Sequence, residues 1–199
     1  MQTRSHNRLR NARKLCRRFL IITDGIITEQ GYFERVKRLT RDSIKIVSRG
    51  SKDIDKLIEL AIKMKEKSDY DVVAIVCDID QRLQSEKSKN TLIKAIANAR
   101  KNGIMMCLSH ESFEVWLLAH VGQIKSNMKS REQAQKIALE KGIVKGRDGK
   151  EIVAEKITKE SIETAIAEVR RLRGASGNNI IASAPMTDVD KLVSAINFS

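Results

Sequence analysis

Apolar residues follow two alternating spacings through most of the chain. Phe19-Leu20-Ile21-Ile22-Thr23 is an unbroken run of strand length, and Tyr32, Val36 and Leu39 then recur at helical spacing behind Thr28, whose hydroxyl suits a helix N-cap. Ile44 and Ile46 alternate with polar neighbours as in a half-buried strand, and Ile54, Leu57, Ile58, Ala61 and Ile62 take up the spacing of an amphipathic helix. Val72-Val73-Ala74-Ile75-Val76-Cys77 is apolar throughout, the pattern of a strand buried on both faces of a parallel sheet, and reads as the central strand. Leu92, Ile93, Ile96 and Ala99 return to helical spacing, Asn102-Gly103 closes that helix, and residues 104–108 open a fourth strand. Strands that alternate with helices of this length need right-handed crossovers. The pattern therefore predicts a doubly wound α/β fold, a mostly parallel sheet with flanking helices on both faces.

Past Gly122 the strand-like runs stop and charged, helix-rich sequence takes over, with Lys145-Gly146-Arg147-Asp148-Gly149-Lys150 reading as a basic, turn-forming loop. Val189, Leu192, Val193 and Ile196 restore a helical face that can pack back onto the sheet. The expected organisation is a basic arm over residues 1–18, an α/β core over 19–122, and over 123–199 a small helical appendage that ends in a helix packed on the core.

Composition narrows the function. A share of 41% hydrophobic residues excludes a wholly disordered chain, and no apolar run is long enough to span a bilayer, so a cytoplasmic protein with no membrane partner is expected. Cys16, Cys77 and Cys107 are widely separated and indicate neither a disulfide framework nor a zinc site. The formal net charge of +13 favours a polyanionic partner, DNA or RNA. Arg4, Arg8, Arg10, Arg13, Lys14, Arg17 and Arg18 concentrate cations in the leading arm, and these, with Lys145 and Arg147 of the basic loop, are the predicted nucleic-acid contacts. There is no Walker-type or Gly-x-Gly-x-x-Gly phosphate loop, which disfavours autonomous nucleotide hydrolysis.

Asp78-Ile79-Asp80, directly after the expected central strand, places two carboxylates on one side of an extended backbone. Asp24 ends the first strand, and sites in open α/β sheets form at the carboxyl ends of strands, so Asp24, Asp78 and Asp80 converge if those strands are neighbours. Such a trio suits Mg2+, or Mn2+ in its place, because a hard cation takes a few carboxylates and leaves room for phosphate oxygens. The same residues also have an ordinary reading as turn and capping residues. Glu114, near the start of the helix after the fourth strand, is expected to assist at this cleft. Glu29 is read as an acidic first-turn residue that complements its helix dipole, His110 as structural, and Phe113, Trp116, Leu117 and His120 as a core-facing stripe.

Four segments, in this order and spacing, carry a resemblance: residues 19–25 with Thr28-Glu29 and Tyr32-Phe33; Cys77-Asp78-Ile79-Asp80; Ser112-Phe113-Glu114-Val115-Trp116-Leu117-Leu118-Ala119-His120; and Pro185-Met186-Thr187-Asp188-Val189-Asp190-Lys191. They resemble the RloB-like family from about residue 10 to the end. The resemblance implies a Toprim-like fold in which an acidic residue after the first strand and an Asp-x-Asp after a later one bind magnesium. It further implies a nuclease of prokaryotic defence or restriction-associated systems, often beside an ATPase partner, or else a non-catalytic nucleic-acid-binding or ATPase-partner subunit of such a system. One departure stands out: the family pattern has Glu-Gly where this chain has Asp24-Gly25. The shorter side chain holds its carboxylate roughly one to one and a half ångström further back.

Overall fold

The computed structural model describes residues 16–50, 53–122, 124, 128, 130–177, 179–182 and 184–198. Four strands, β1 (Arg18–Thr23), β2 (Ser43–Ser48), β3 (Val72–Asp78) and β4 (Met105–His110), run parallel, and a short β7 (Met186–Thr187) adds antiparallel to β4. The order β2-β1-β3-β4-β7 places β3 at the centre. This is the mostly parallel, helix-flanked α/β sheet of a Toprim-like fold. Because β1 leads out to β2 on one side and the chain then returns to β3 on the other, the strand order reverses between β1 and β3. A crevice opens at such a reversal, outside the carboxyl ends of the two strands.

Alternation along the strands divides the interior into two layers. Leu20, Ile22, Val73, Ile75 and Cys77 face α2 (Ile54–Glu66) and α3 (Glu86–Lys101). Phe19, Ile21, Ala74 and Val76 face α1 (Thr28–Leu39), α4 (Glu114–Ala119), α6 (Lys159–Ser176) and α7 (Val189–Ala195). Each large side chain fully withdrawn from water contributes about 1.5–3 kcal/mol, so β1, apolar on both faces, is a main source of cohesion. Ile93, read as part of the buried stripe of its helix, is 45% exposed; Leu92, Ala95 and Ala99 make that stripe instead.

Residues beyond 122, read as helix-rich with a helical face at Val189, Leu192, Val193 and Ile196, supply α5 (Arg131–Glu140), α6 and α7, and they share one hydrophobic layer with the sheet. Ala134, Ala138, Ile162, Ala165 and Val169 are buried in the same cluster as Phe113 and Trp116 of the α4 region. Three short strands were not legible: β5 (Val144–Lys145) and β6 (Glu151–Ile152), which pair as a hairpin, and β7. Two residues are too few to show a period of two. The turn between β5 and β6 falls in the basic loop, where Gly146 and Gly149 adopt positive φ of 87° and 59°.

Two local devices bear on the site. Thr28, read as an N-cap, does not cap α1; its hydroxyl donates to the Lys150 carbonyl at 3.0 Å and fastens the hairpin to the helix start. The ring of Tyr32 meets Phe113 edge-on at 5.5 Å and Trp116 at 6.1 Å, which locks α1 against α4 and fixes the spacing of whatever their first turns carry.

Asp190, 2% exposed, accepts two hydrogen bonds from Arg173, at 2.9 and 2.6 Å, and so joins α6 to α7. Asp190→Ala leaves the Arg173 guanidinium largely buried without its carboxylate, and urea denaturation is expected to show a loss of about 3 kcal/mol.

Candidate metal centre

The carboxyl ends of β1 and β3 are fixed by one extra rung of their ladder, because the Asp24 N–H donates to the Val76 carbonyl at 3.2 Å. Asp24 Oδ2 in turn accepts from the Asp78 N–H at 3.4 Å, and its Oδ1 is buried with no hydrogen-bond partner among the described residues. An unpaired buried carboxylate oxygen is costly and points to a missing donor or cation. Burial raises the pKa of Asp24, and Arg82 beside it only partly offsets that.

After Asp78 the chain enters a 3-10 turn over Asp80–Leu83. Ile79 is fully buried in the α2 and α3 layer and its N–H donates to Ser109 O at 3.0 Å. With Ile79 so anchored, Asp78 and Asp80 both reach Arg131: Nη2 donates to Asp78 Oδ2 and lies 3.7 Å from Asp80 Oδ1. Arg82 clamps the strand end by donating to the Asp78 carbonyl. The Asp78 carboxyl is pushed well above the usual carboxylate range, by burial first and then by the charges of Asp24 and Glu29.

Glu29 belongs to this cluster, beyond the helix-dipole role its position suggested. It is 7% exposed, and a Cβ built on Gly25 would lie 1.8 Å from Glu29 Oε2. A side chain at 25 would therefore displace the Glu29 carboxylate from its place beside Asp24. Burial, and then the charges of Asp24 and Glu114, raise its pKa from an ordinary 4.5 to about 7. Glu114, the first residue of α4 and 5% exposed, approaches from the β4 side.

These side chains line a cleft of about 220 Å³ that holds Asp24, Glu29, Asp78, Asp80, Arg82 and Arg131. An adjoining lobe of about 350 Å³ adds Glu114, Gln135, Lys150 and the exposed Ile26 and Ile27. Asp24 and Asp78 thus line both spaces, Asp80 the cleft and Glu114 the adjoining lobe. Of the predicted nucleic-acid contacts, Arg4, Arg8, Arg10, Arg13 and Lys14 lie outside the described residues. Arg17 and Arg18 sit at the amino end of β1, across the sheet from the cleft: Arg17 donates to the Ala195 carbonyl at 3.0 Å and Arg18 lies 5.5 Å over the Tyr70 ring. Lys145 and Arg147 are exposed on the hairpin, which Thr28 ties to the cleft side of α1. His110 has a buried Nδ1 without a hydrogen-bond partner, and His120 meets Ser161 Oγ at 3.0 Å.

Arg131 was not singled out from the sequence. A signal existed, since it occupies the first position of α5 behind the capping Ser130, where a helix dipole favours an anion. A cation there calls for a compensating charge, but only the folded chain shows which.

The donor set is all oxygen, which fits Mg2+ or Mn2+ rather than a softer metal. Among the described residues no three acidic, imidazole or thiol side chains stand close enough to ligate one ion as arranged. The guanidinium of Arg131 lies across Asp78 and Asp80, the same carboxylates an ion would use. The crowded carboxylates and the orphaned Asp24 Oδ1 fit the donor chemistry of a cation site, with Arg131 lying on two of its carboxylates.

The family model described as RloB-like protein matches residues 19–196 of the chain. Neither a curated protein nor a solved structure matches it.

Glu29 releases its proton near pH 7 when folded and near 4.5 when unfolded, so the folded state holds more protons between those values. Its contribution to stability is accordingly lost as pH rises through that window. In EDTA this group makes the protein less stable at pH 8 than its fold would otherwise be; Mg2+ or Mn2+ is expected to raise Tm more at pH 8 than at pH 5.5, as scanning fluorimetry would show. Saturation to a hundred times Kd corresponds to about 2.7 kcal/mol. Gly25→Ala, which displaces the Glu29 carboxylate, is expected to weaken Mn2+ binding by calorimetry on the order of tenfold, the size of effect seen when a ligand's support is removed.

Proposed function

Since the chain belongs to the RloB-like family, we propose that it is a metal-dependent nuclease that hydrolyses phosphodiester bonds of DNA or RNA. The observation that carries this reading is that Asp24, Asp78 and Asp80 line one cleft at the carboxyl ends of β1 and β3, with Glu114 in the adjoining lobe and Asp24 Oδ1 unpartnered among the described residues. The biological setting follows from the family resemblance: a prokaryotic defence system of the abortive-infection or restriction-associated kind.

Asp24, Asp78 and Asp80 would hold Mg2+ or Mn2+, with Glu114 assisting from the far wall. A bound ion of this kind polarises a phosphoryl oxygen and lowers the pKa of its water. Glu29 offers the reach that Asp24 lacks, since its carboxylate already lies over Gly25 beside the Asp24 side chain. Arg82 holds the Asp78 backbone and so keeps that carboxylate aimed into the cleft. At the mouth, Lys150 and the neighbouring hairpin cations Lys145 and Arg147 present positive charge to a polyanion, while the floor stays acidic. The separation is chemically sensible: cations outside draw in the backbone, and carboxylates inside need a metal before a phosphate can approach them.

A second reading is favoured by Asp24 in the place of glutamate and by Arg131 lying across Asp78 and Asp80. In it the chain is a nucleic-acid-binding subunit, or an enzyme completed by an ATPase partner.

Incubation of single- and double-stranded DNA and RNA with the native protein in Mg2+ or Mn2+ is expected to give cleavage. Asp78→Asn and Asp80→Asn should lower it by about a hundredfold or more, the effect of removing a group that supports transition-state charge. Asp78→Asn should also raise Tm in EDTA, since it relieves like-charge repulsion in a buried cluster. Intact substrate in every lane, with salt-sensitive binding retained, would transfer the conclusion to the second reading.

A further inference from the structure

Arg131 is one of two arginines that line the cleft, and it is held there under two standing penalties. It occupies the first position of α5, against the helix dipole, and its Nε is buried with no hydrogen-bond partner. What offsets these is the bond from Nη2 to Asp78 and the 3.7 Å approach to Asp80. Both carboxylates belong to the group that would hold a divalent ion. A divalent ion that takes them removes the attraction and leaves the penalties.

The Arg131 side chain lies toward the opening of the cleft, 31% exposed, whereas Asp78 below it is 14% exposed. Among the described residues only the Nη2 end of Arg131 lies within ion-pair distance of a carboxylate. A guanidinium presents donors in a planar fork that matches two oxygens of a phosphate. Arg131 already lines both the cleft and the adjoining lobe, whose space Gln135, one helical turn further along α5, Lys150 and Ile27 also border.

We propose that Arg131 is an exchangeable counterion: paired with Asp78 and Asp80 while the cleft is metal-free, and transferred to the non-bridging oxygens of the substrate phosphate once a divalent ion takes those carboxylates. The inference rests on the nuclease reading and deepens it by coupling metal occupancy to the grip on nucleic acid. Without the ion the phosphate meets bare carboxylates and a guanidinium already engaged; with it, the floor is neutralised and the fork is freed. Metal and polyanion then bind cooperatively, each improving the affinity for the other by the same factor.

The test uses the full chain and its Arg131→Gln and Arg131→Lys variants, with folding checked by circular dichroism and Tm. Mn2+ binding to the protein alone, followed by calorimetry, is expected to tighten in Arg131→Gln because a competing cation has gone. Binding of a fluorescent single-stranded RNA and a double-stranded DNA is then compared in EDTA and in Ca2+ across a salt series. In EDTA Arg131→Gln should bind like the native chain. In Ca2+ it should bind on the order of tenfold more weakly, with the slope of log K against log salt reduced by about one. Arg131→Lys should lie between, retaining charge without the fork. Weaker Mn2+ binding by Arg131→Gln would overturn the proposal, since Arg131 would then be positioning the carboxylates rather than competing for them. An equal loss in EDTA and Ca2+, or no loss in Ca2+, would overturn it while leaving the nuclease reading intact. A native chain that binds neither nucleic acid in either condition would overturn both.

Discussion

Crowding of like charges at the end of a parallel sheet is the constraint around which this molecule is organised. Parallel register brings Asp24 and Asp78 to the mouths of adjacent strands, and Glu29 and Glu114 arrive on the first turns of α1 and α4. Carboxylates withdrawn from water repel one another more strongly and resist ionisation. The upward pKa shifts of Asp24, Glu29 and Asp78 express that cost. Several features of the surroundings make sense as ways of sustaining it: Gly25, whose missing Cβ leaves the space the Glu29 carboxylate occupies, Arg82 at the strand end, and Arg131 inserted from a helix distant in sequence.

The helices beyond residue 122 are therefore part of the site as well as part of the core. α5 and α6 bury their apolar stripes in the layer that covers α1 and α4, and this packing holds Arg131 opposite Asp78. The chain closes the same layer from its far end, where β7 pairs with β4 and Arg173 grips Asp190. Deep burial of Asp190 beside Arg173 explains why the Asp188-Val189-Asp190 segment, acidic like the cleft residues, is a fastener: its carboxylates are already satisfied by Arg173 and Lys191.

Charge is distributed in keeping with this arrangement. The sum is +13, yet the cleft floor is acidic, so cations must crowd the rest of the surface. Arg17 and Arg18 are spent on contacts at the amino ends of the strands, whereas the hairpin's Lys150 lines the lobe itself, beside Arg131. Such a field raises the local concentration of a polyanion without placing a cation among the carboxylates other than the two arginines that hold them.

Much of the fold was legible in the sequence because strand and helix leave different periods in apolar residues. The run from Val72 to Cys77 identified a doubly buried strand, and it is the centre of the sheet. The Asp24, Asp78 and Asp80 cluster was legible for a related reason: sites in such sheets form at strand ends, and a carboxylate just past an apolar run marks one. Glu114 came from the same logic. Other features lay beyond any local pattern. β5, β6 and β7 are too short to carry a period, Thr28 bonds a carbonyl far along the chain in place of its own helix, and Glu29 looked like an ordinary first-turn acid. Arg131 is the clearest case, since its partners lie more than fifty residues away. Local sequence determines what each segment prefers to be and which end of it carries charge. Only the tertiary structure decides which charges meet, because that depends on strand order and on the packing of helices whose contacts no single window of sequence contains.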